Sequence, residues 1–122
     1  MGLFRRSKEP ALPPVEFTPD VVVAMMSEIV QIMVFNYADT HGGVLPETLG
    51  AKVEIDKLGR VVGFDDPRAN GAPYIPSPEA VAALNEVLRP FSVAPPEYQA
   101  TAYTFTFDNG TADGEFTYPG AG

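Results

Sequence analysis

The sequence predicts an α+β domain: a mostly antiparallel four-stranded sheet covered by two helices, in the order helix, hairpin, helix, hairpin. Three observations carry that reading. Tyr103, Phe105 and Phe107 alternate with Ala102, Thr104 and Thr106, and after a polar, glycine-containing stretch Phe116 and Tyr118 alternate with Glu115 and Thr117, the period of two of a half-buried hairpin. A second alternating pair flanks Asp56-Lys57-Leu58-Gly59. Two helix-start signatures, Thr18-Pro19-Asp20 and Ser77-Pro78-Glu79, open the two longest apolar runs. No sustained strand–helix–strand alternation calls for parallel crossovers.

Residues 1–17 mix Arg5, Arg6 and Lys8 with Pro10, Pro13 and Pro14. Proline removes backbone donors and favours extended chain, so this stretch reads as a flexible basic arm, followed by one domain over 18–119 and a short tail over 120–122. No apolar stretch follows the arginines, so a signal peptide is not expected. Met1-Gly2 opens a myristoylation pattern that Arg6, standing where Ser or Thr is needed, breaks.

Thr18 caps the first helix, Pro19 suits its first position, and Asp20 suits the positive end of the dipole. The helix runs to about Ala38, with Gly42-Gly43 as its latest stop. Asp20, Ala24, Ser27, Glu28 and Gln31 form one narrow polar face on an otherwise apolar cylinder. Glu28 and Gln31 sit at its centre, which makes it a poor membrane span. Such a helix is buried on more than one side. It is either a central core helix or one that also forms an interface through outward-facing Met25 and Met33, making a homo-oligomer.

Gly43–Gly50 reads as a loop or one short turn; its Leu-Pro-Glu-Thr matches a sortase signal by chance, since Leu49 follows where glycine is required. Val53 and Ile55 alternate with Lys52, Glu54 and Asp56, a type I turn over Asp56–Gly59 follows, and the strand returns through Arg60–Phe64. Asp65–Pro73 reads as an exposed loop. The second helix runs from Pro78 to about Arg89, with Val81, Leu84, Val87 and Leu88 on its apolar side and Pro90 forcing its end.

A chain of 122 residues makes one domain with a single core, and its 11 Gly and 13 Pro imply many turns. Net charge is −8, and three of the eight Lys and Arg lie in the arm, so the rest is more acidic still. Phosphate binding rests on clustered Lys and Arg, so nucleic acid is not the expected partner. The acidity permits a basic protein partner and also serves solubility. The absence of cysteine excludes disulfides, thiolate metal sites and a Cys nucleophile, and fits a reducing, cytoplasmic setting.

Candidate chemistry is sparse. His41, the one histidine, follows Asp39-Thr40 without a Ser or Cys nucleophile context and reads as a residue placed by the helix dipole. Asn109, Thr111 and Asp113 mimic the start of a calcium loop, but position twelve is Gly120 and the flanks are strands. No glycine-rich phosphate loop occurs: Gly42-Gly43 lacks both the following Lys-Ser/Thr and a preceding strand. No cofactor, metal or catalytic residue is expected, and the chain is read as a non-enzyme.

The second helix, its proline-rich joint and the hairpin Tyr103-Thr104-Phe105-Thr106-Phe107-Asp108 … Asp113-Gly114-Glu115-Phe116-Thr117-Tyr118 resemble the C-terminal half of the YezG-like immunity proteins, small acidic antitoxins of bacterial polymorphic toxin systems. The likeness extends over most of the chain as an order of elements. The chain departs from that family in lacking tryptophan and in its short middle segment. The resemblance implies neutralisation of a toxin by direct binding, without catalysis, and transfers no specific contact. On charge, the residues expected to meet a basic partner are Asp65, Asp66, Asp108, Asp113 and Glu115. Two other expectations stand beside this one: a self-associating assembly subunit, and a scaffold with a small-molecule pocket between helices and sheet.

Overall fold

The computed structural model describes residues 17–119, so the expected arm, apart from Phe17, and the tail over 120–122 lie outside the described residues. The elements in order are α1 (Pro19–Asp39), β1 (Thr48–Ile55), β2 (Val61–Ala69), β3 (Ala72–Pro73), α2 (Pro78–Val87), β4 (Ala102–Asp108) and β5 (Thr111–Thr117), with 3-10 turns at Arg89–Val93 and Pro96–Tyr98. The two helix starts form as their residues dictate. Thr18 Oγ1 accepts from the Val21 amide at 3.2 Å and Ser77 Oγ from the Ala80 amide at 3.2 Å, each ahead of a proline in the first turn.

The sheet has five strands in the order β3-β2-β1-β4-β5, every pair antiparallel, rather than the four expected. The fifth arises where an exposed loop was expected. Asn70 and Gly71, at φ 51° and 81°, make the paired left-handed turn that suits a two-residue hairpin and reverse the chain into β3. Asn70 holds that turn against the neighbouring strand: its Oδ1 accepts from the Glu47 and Thr48 amides at 2.8 and 3.1 Å, and its own amide donates to the Thr48 carbonyl at 2.8 Å. β2 therefore continues through Asp65, Asp66 and Pro67 to Ala69, and β1 begins at Thr48. Asn109 and Gly110, at φ 48° and 91°, make the same turn between β4 and β5. The Asp56–Gly59 turn forms as read, with Asp56 Oδ1 accepting from the Leu58 and Arg60 amides at 2.8 and 3.0 Å.

The helices cover one face of the sheet only. On that face lie Leu49, Ala51, Val53 and Ile55 of β1 and Tyr103 and Phe105 of β4, all buried. Ile29 and Met33 of α1, Leu84 and Leu88 of and just after α2, and Phe91 have no exposure. Phe91 lies 5.0 Å from Phe116 and 5.4 Å from Phe17, which packs on the core from the end of the expected arm. α1 is long and apolar enough by length and composition to cross a bilayer, a test that the core helix of a soluble protein also passes. Met25 and Met33 are core residues, 3% and 0% exposed, so neither can present an interface. α1 turns Val23 and Phe35 outward instead.

A half-buried polar joint ties the two helices together. Asn36 of α1 donates through Nδ2 to Ser77 Oγ at 2.7 Å and accepts at Oδ1 from the Ser77 amide and from the Tyr74 hydroxyl, whose single proton is shared between Asn36 and the Met33 carbonyl, 3.2 Å away. Ser77 thus caps α2 while bound to α1. Burial, with a smaller contribution from the negative charge of Asp39, pushes the Tyr74 phenol up to about 12.

Two outcomes follow from this packing. Met33→Ala should cost about 2–5 kcal/mol in denaturant unfolding, whereas Phe35→Ala should stay within about 0.5 kcal/mol; equal costs would mean that α1 docks by another face. Because the folded-state value of Tyr74 lies above that of the unfolded chain, its stabilising contribution is intact below about pH 10 and is lost as pH rises through about 12. Alkaline unfolding of Tyr74→Phe should therefore show a shallower fall over that window than the parent, and parallel curves would remove Tyr74 from the account.

Candidate functional site

The pairing registers lay the uncovered face of the sheet out as a grid. One row runs Asp65–Lys52–Thr104–Glu115 across β2, β1, β4 and β5, and the next runs Arg68–Gly50–Thr106–Asp113. Glu54 lies beside Gly63 and Ala102 at one end of the face, and Thr48, Asp108 and Thr111 share a row at the other. Cross-strand neighbours point the same way, so these side chains form one surface. It carries Glu54, Asp65, Asp66, Asp108, Asp113 and Glu115 against only Lys52 and Arg68, and all eight residues are exposed.

Each expected acid has a distinct setting. Asp65 faces Lys52. Asp66 sits in a bulge at φ 52°, a conformation that Asp tolerates better than most residues, and its Oδ1 accepts from Arg68 Nε at 2.8 Å. Both partners of that ion pair are more than half exposed, so the pair fixes orientation more than it adds stability. Asp108 accepts from Asn109 Nδ2 at 2.7 Å. Asp113 and Glu115 face Thr106 and Thr104, with no cation opposite.

Gly50 leaves the middle of the face without a side chain. Two shallow depressions flank the threonines Thr104 and Thr106: one of about 350 Å³ toward Asp65, Asp66 and Arg68, the other of about 250 Å³ toward Asp113 and Glu115. The structure thus gathers Asp65 and Asp66 at one hollow and Asp113 and Glu115 at the other, and leaves Asp108 beside neither. It adds Glu54 to the face. That residue was legible in the Val53–Ile55 alternation, but its place beside the expected acids depends on β1 lying between β2 and β4.

Elsewhere the chemistry is structural. His41 stacks on Tyr37 at 3.8 Å between ring centres, and its Nδ1 lies 2.8 Å from the Tyr37 carbonyl oxygen. A carbonyl only accepts, so Nδ1 carries the proton and binds a helix-terminal backbone group. Among the described residues no group of three or more His, Asp or Glu comes together to hold a metal ion. Asn109 stands on the tight turn, and Thr111 and Asp113 lie along β5. On the covered side, burial and then the charge of Asp113 raise the phenol of Tyr103, and burial raises that of Tyr118.

A cleft of about 500 Å³ opens between α1 and the β4–β5 hairpin, with Val23, Met26, Val30, Phe107 and Ala112 as its apolar wall and Ser27, Gln31 and Asp113 also on its lining. Comparison with protein-family models, with curated proteins and with solved structures finds no match to this chain. The functional reading therefore stands on the geometry of this face and its edge.

Proposed function

We propose that the protein is a non-catalytic, cytoplasmic protein-binding module that engages a basic partner through the open face of its sheet, and that it acts as an immunity protein neutralising a bacterial toxin by direct binding. The observation that supports this reading is the acid excess of one continuous surface: six carboxylates against Lys52 and Arg68, on a face no described element covers. An antiparallel sheet with one solvated face needs polar residues there, but it does not need them to be of one sign. A surface of one sign steers an oppositely charged partner and holds it in register. The shallow hollows suit protruding Lys or Arg side chains better than an enclosed small molecule. The self-associating alternative draws on Val23 and Phe35, the large apolar residues that α1 exposes.

The test is capture of the tagged protein from its native lysate, followed by association kinetics with the partner that elutes. Joint reversal of Asp65, Asp66, Asp113 and Glu115 to lysine should slow association by about tenfold or more at low salt, an effect that shrinks as salt rises. An unchanged rate, with the fold intact by circular dichroism, would sink the face as the binding surface.

A further inference from the structure

The two edges of the sheet differ. β3 is two residues long, pairs only with Arg68 and Ala69, and ends in Pro73, which lacks an amide hydrogen; the rest of that margin is β2, bulged at Asp66 and interrupted by Pro67. β5 is seven residues long, and Thr111 through Glu115 are all exposed. Asp108 and Thr111 flank a two-residue turn, so they form a hydrogen-bonded pair, as do every second pair beyond them. The backbone groups of Ala112, Gly114 and Phe116 therefore point away from β4, and among the described residues no other backbone group bonds to them.

These three residues also face the helix side, where Ala112 and Gly114 are too small to fill the space. A side chain at Gly114 would meet the Tyr103 hydroxyl at 2.5 Å, so the Tyr103 ring already occupies the ground beneath this strand. Beyond it lies the cleft walled by Val23, Met26, Val30 and Phe107. On the opposite face of the same strand, Asp113 and Glu115 have no cation opposite them.

We infer that the β5 edge receives an extended segment of a partner protein as a sixth strand, one whose residues alternate apolar and basic. Hydrogen bonds to Ala112, Gly114 and Phe116 would carry the backbone; apolar side chains would enter the cleft under α1, and Lys or Arg would lie beside Asp113 and Glu115. Charge decides the occupant. A second copy pairing edge to edge sets Asp113 and Glu115 against their own counterparts, and like charges across a strand pair destabilise it. A basic strand makes the same contact attractive. The inference rests on the protein-binding reading and gives it a docking mode.

The probe is a blocked peptide alternating valine and lysine over about eight residues, a typical strand length, titrated against the described domain with its flanking residues intact. The expected result is saturable binding that weakens with salt and slows exchange of the Ala112, Gly114 and Phe116 amides. Ala112→Pro, which deletes one outward amide without touching the ladder to β4, should weaken binding by about tenfold or more. Val23→Asp, on an exposed flank of α1, should do the same and serves if the proline variant does not fold. Equal binding of a peptide with the same residues in two blocks would overturn the inference. So would unchanged affinity in the folded variants, no binding at all, or a dimer that Ala112→Pro dissolves. Asp65 and Asp66 lie on β2, far from this edge in the strand order. If the peptide fails while a captured partner still responds to their reversal, the edge proposal falls alone; if no partner is captured either, both readings fall.

Discussion

The strand β1 is hydrogen-bonded on both sides, to β2 and to β4, and its register fixes the faces of its neighbours. Leu49, Ala51, Val53 and Ile55 must point to the helices, because no other strand supplies so continuous a buried row. That requirement throws Thr48, Gly50, Lys52 and Glu54 to solvent and, through the ladder, sets Thr104, Thr106, Asp113 and Glu115 beside them. A slip of one residue would bury Lys52 and Glu54 and expose Val53. The acidic surface is thus a by-product of packing the other side: position is dictated by the core, and only the identity of the outward residues was left free to be acidic.

The helices answer to the same constraint from above. Neither could be placed independently, since Asn36 joins α1 to the first residues of α2 through Ser77, and Tyr74 closes the joint from the segment between β3 and α2. Asn36 and Ser77 are half-buried and Tyr74 is buried, so each polar group needs a partner, and no buried side-chain nitrogen or oxygen among the described residues lacks one. The joint makes the angle between the helices a matter of directional bonds and not of apolar contact alone.

Much of this was readable in the chain. Caps and turns are local chemistry, so Thr18-Pro19, Ser77-Pro78 and Asp56–Gly59 announced themselves. β3 did not, because β2 runs through Gly63, Asp65, Asp66 and Pro67, residue types that strands avoid. Two register irregularities and the side chain of Asn70 hold that segment in the sheet, and neither is visible without its partner strand. Asp65 and Asp66 were expected in a loop, and Asp108 and Asp113 fall at the polar stretch between two expected strands; all of them, with Glu115, stand on strands, which is why they share a face at all. The orientation of α1 was the least legible feature. Its apolar residues nearly encircle it, so periodicity alone does not say that Met25 and Met33 turn inward while Phe35 turns out.

The inequality of the sheet's edges has a consequence for growth. Linear stacking of sheets into a fibre needs each molecule to offer two edges, one to accept a neighbour and one to template the next. β3, two residues long and ending in proline, and the stretch of β2 beside it, bulged at Asp66 and interrupted by Pro67, make a poorer second template than β5. A strand joined to β5 leaves the molecule with an opposite margin made of a two-residue strand and a bulged, proline-interrupted stretch of β2, so extension of the array is disfavoured there.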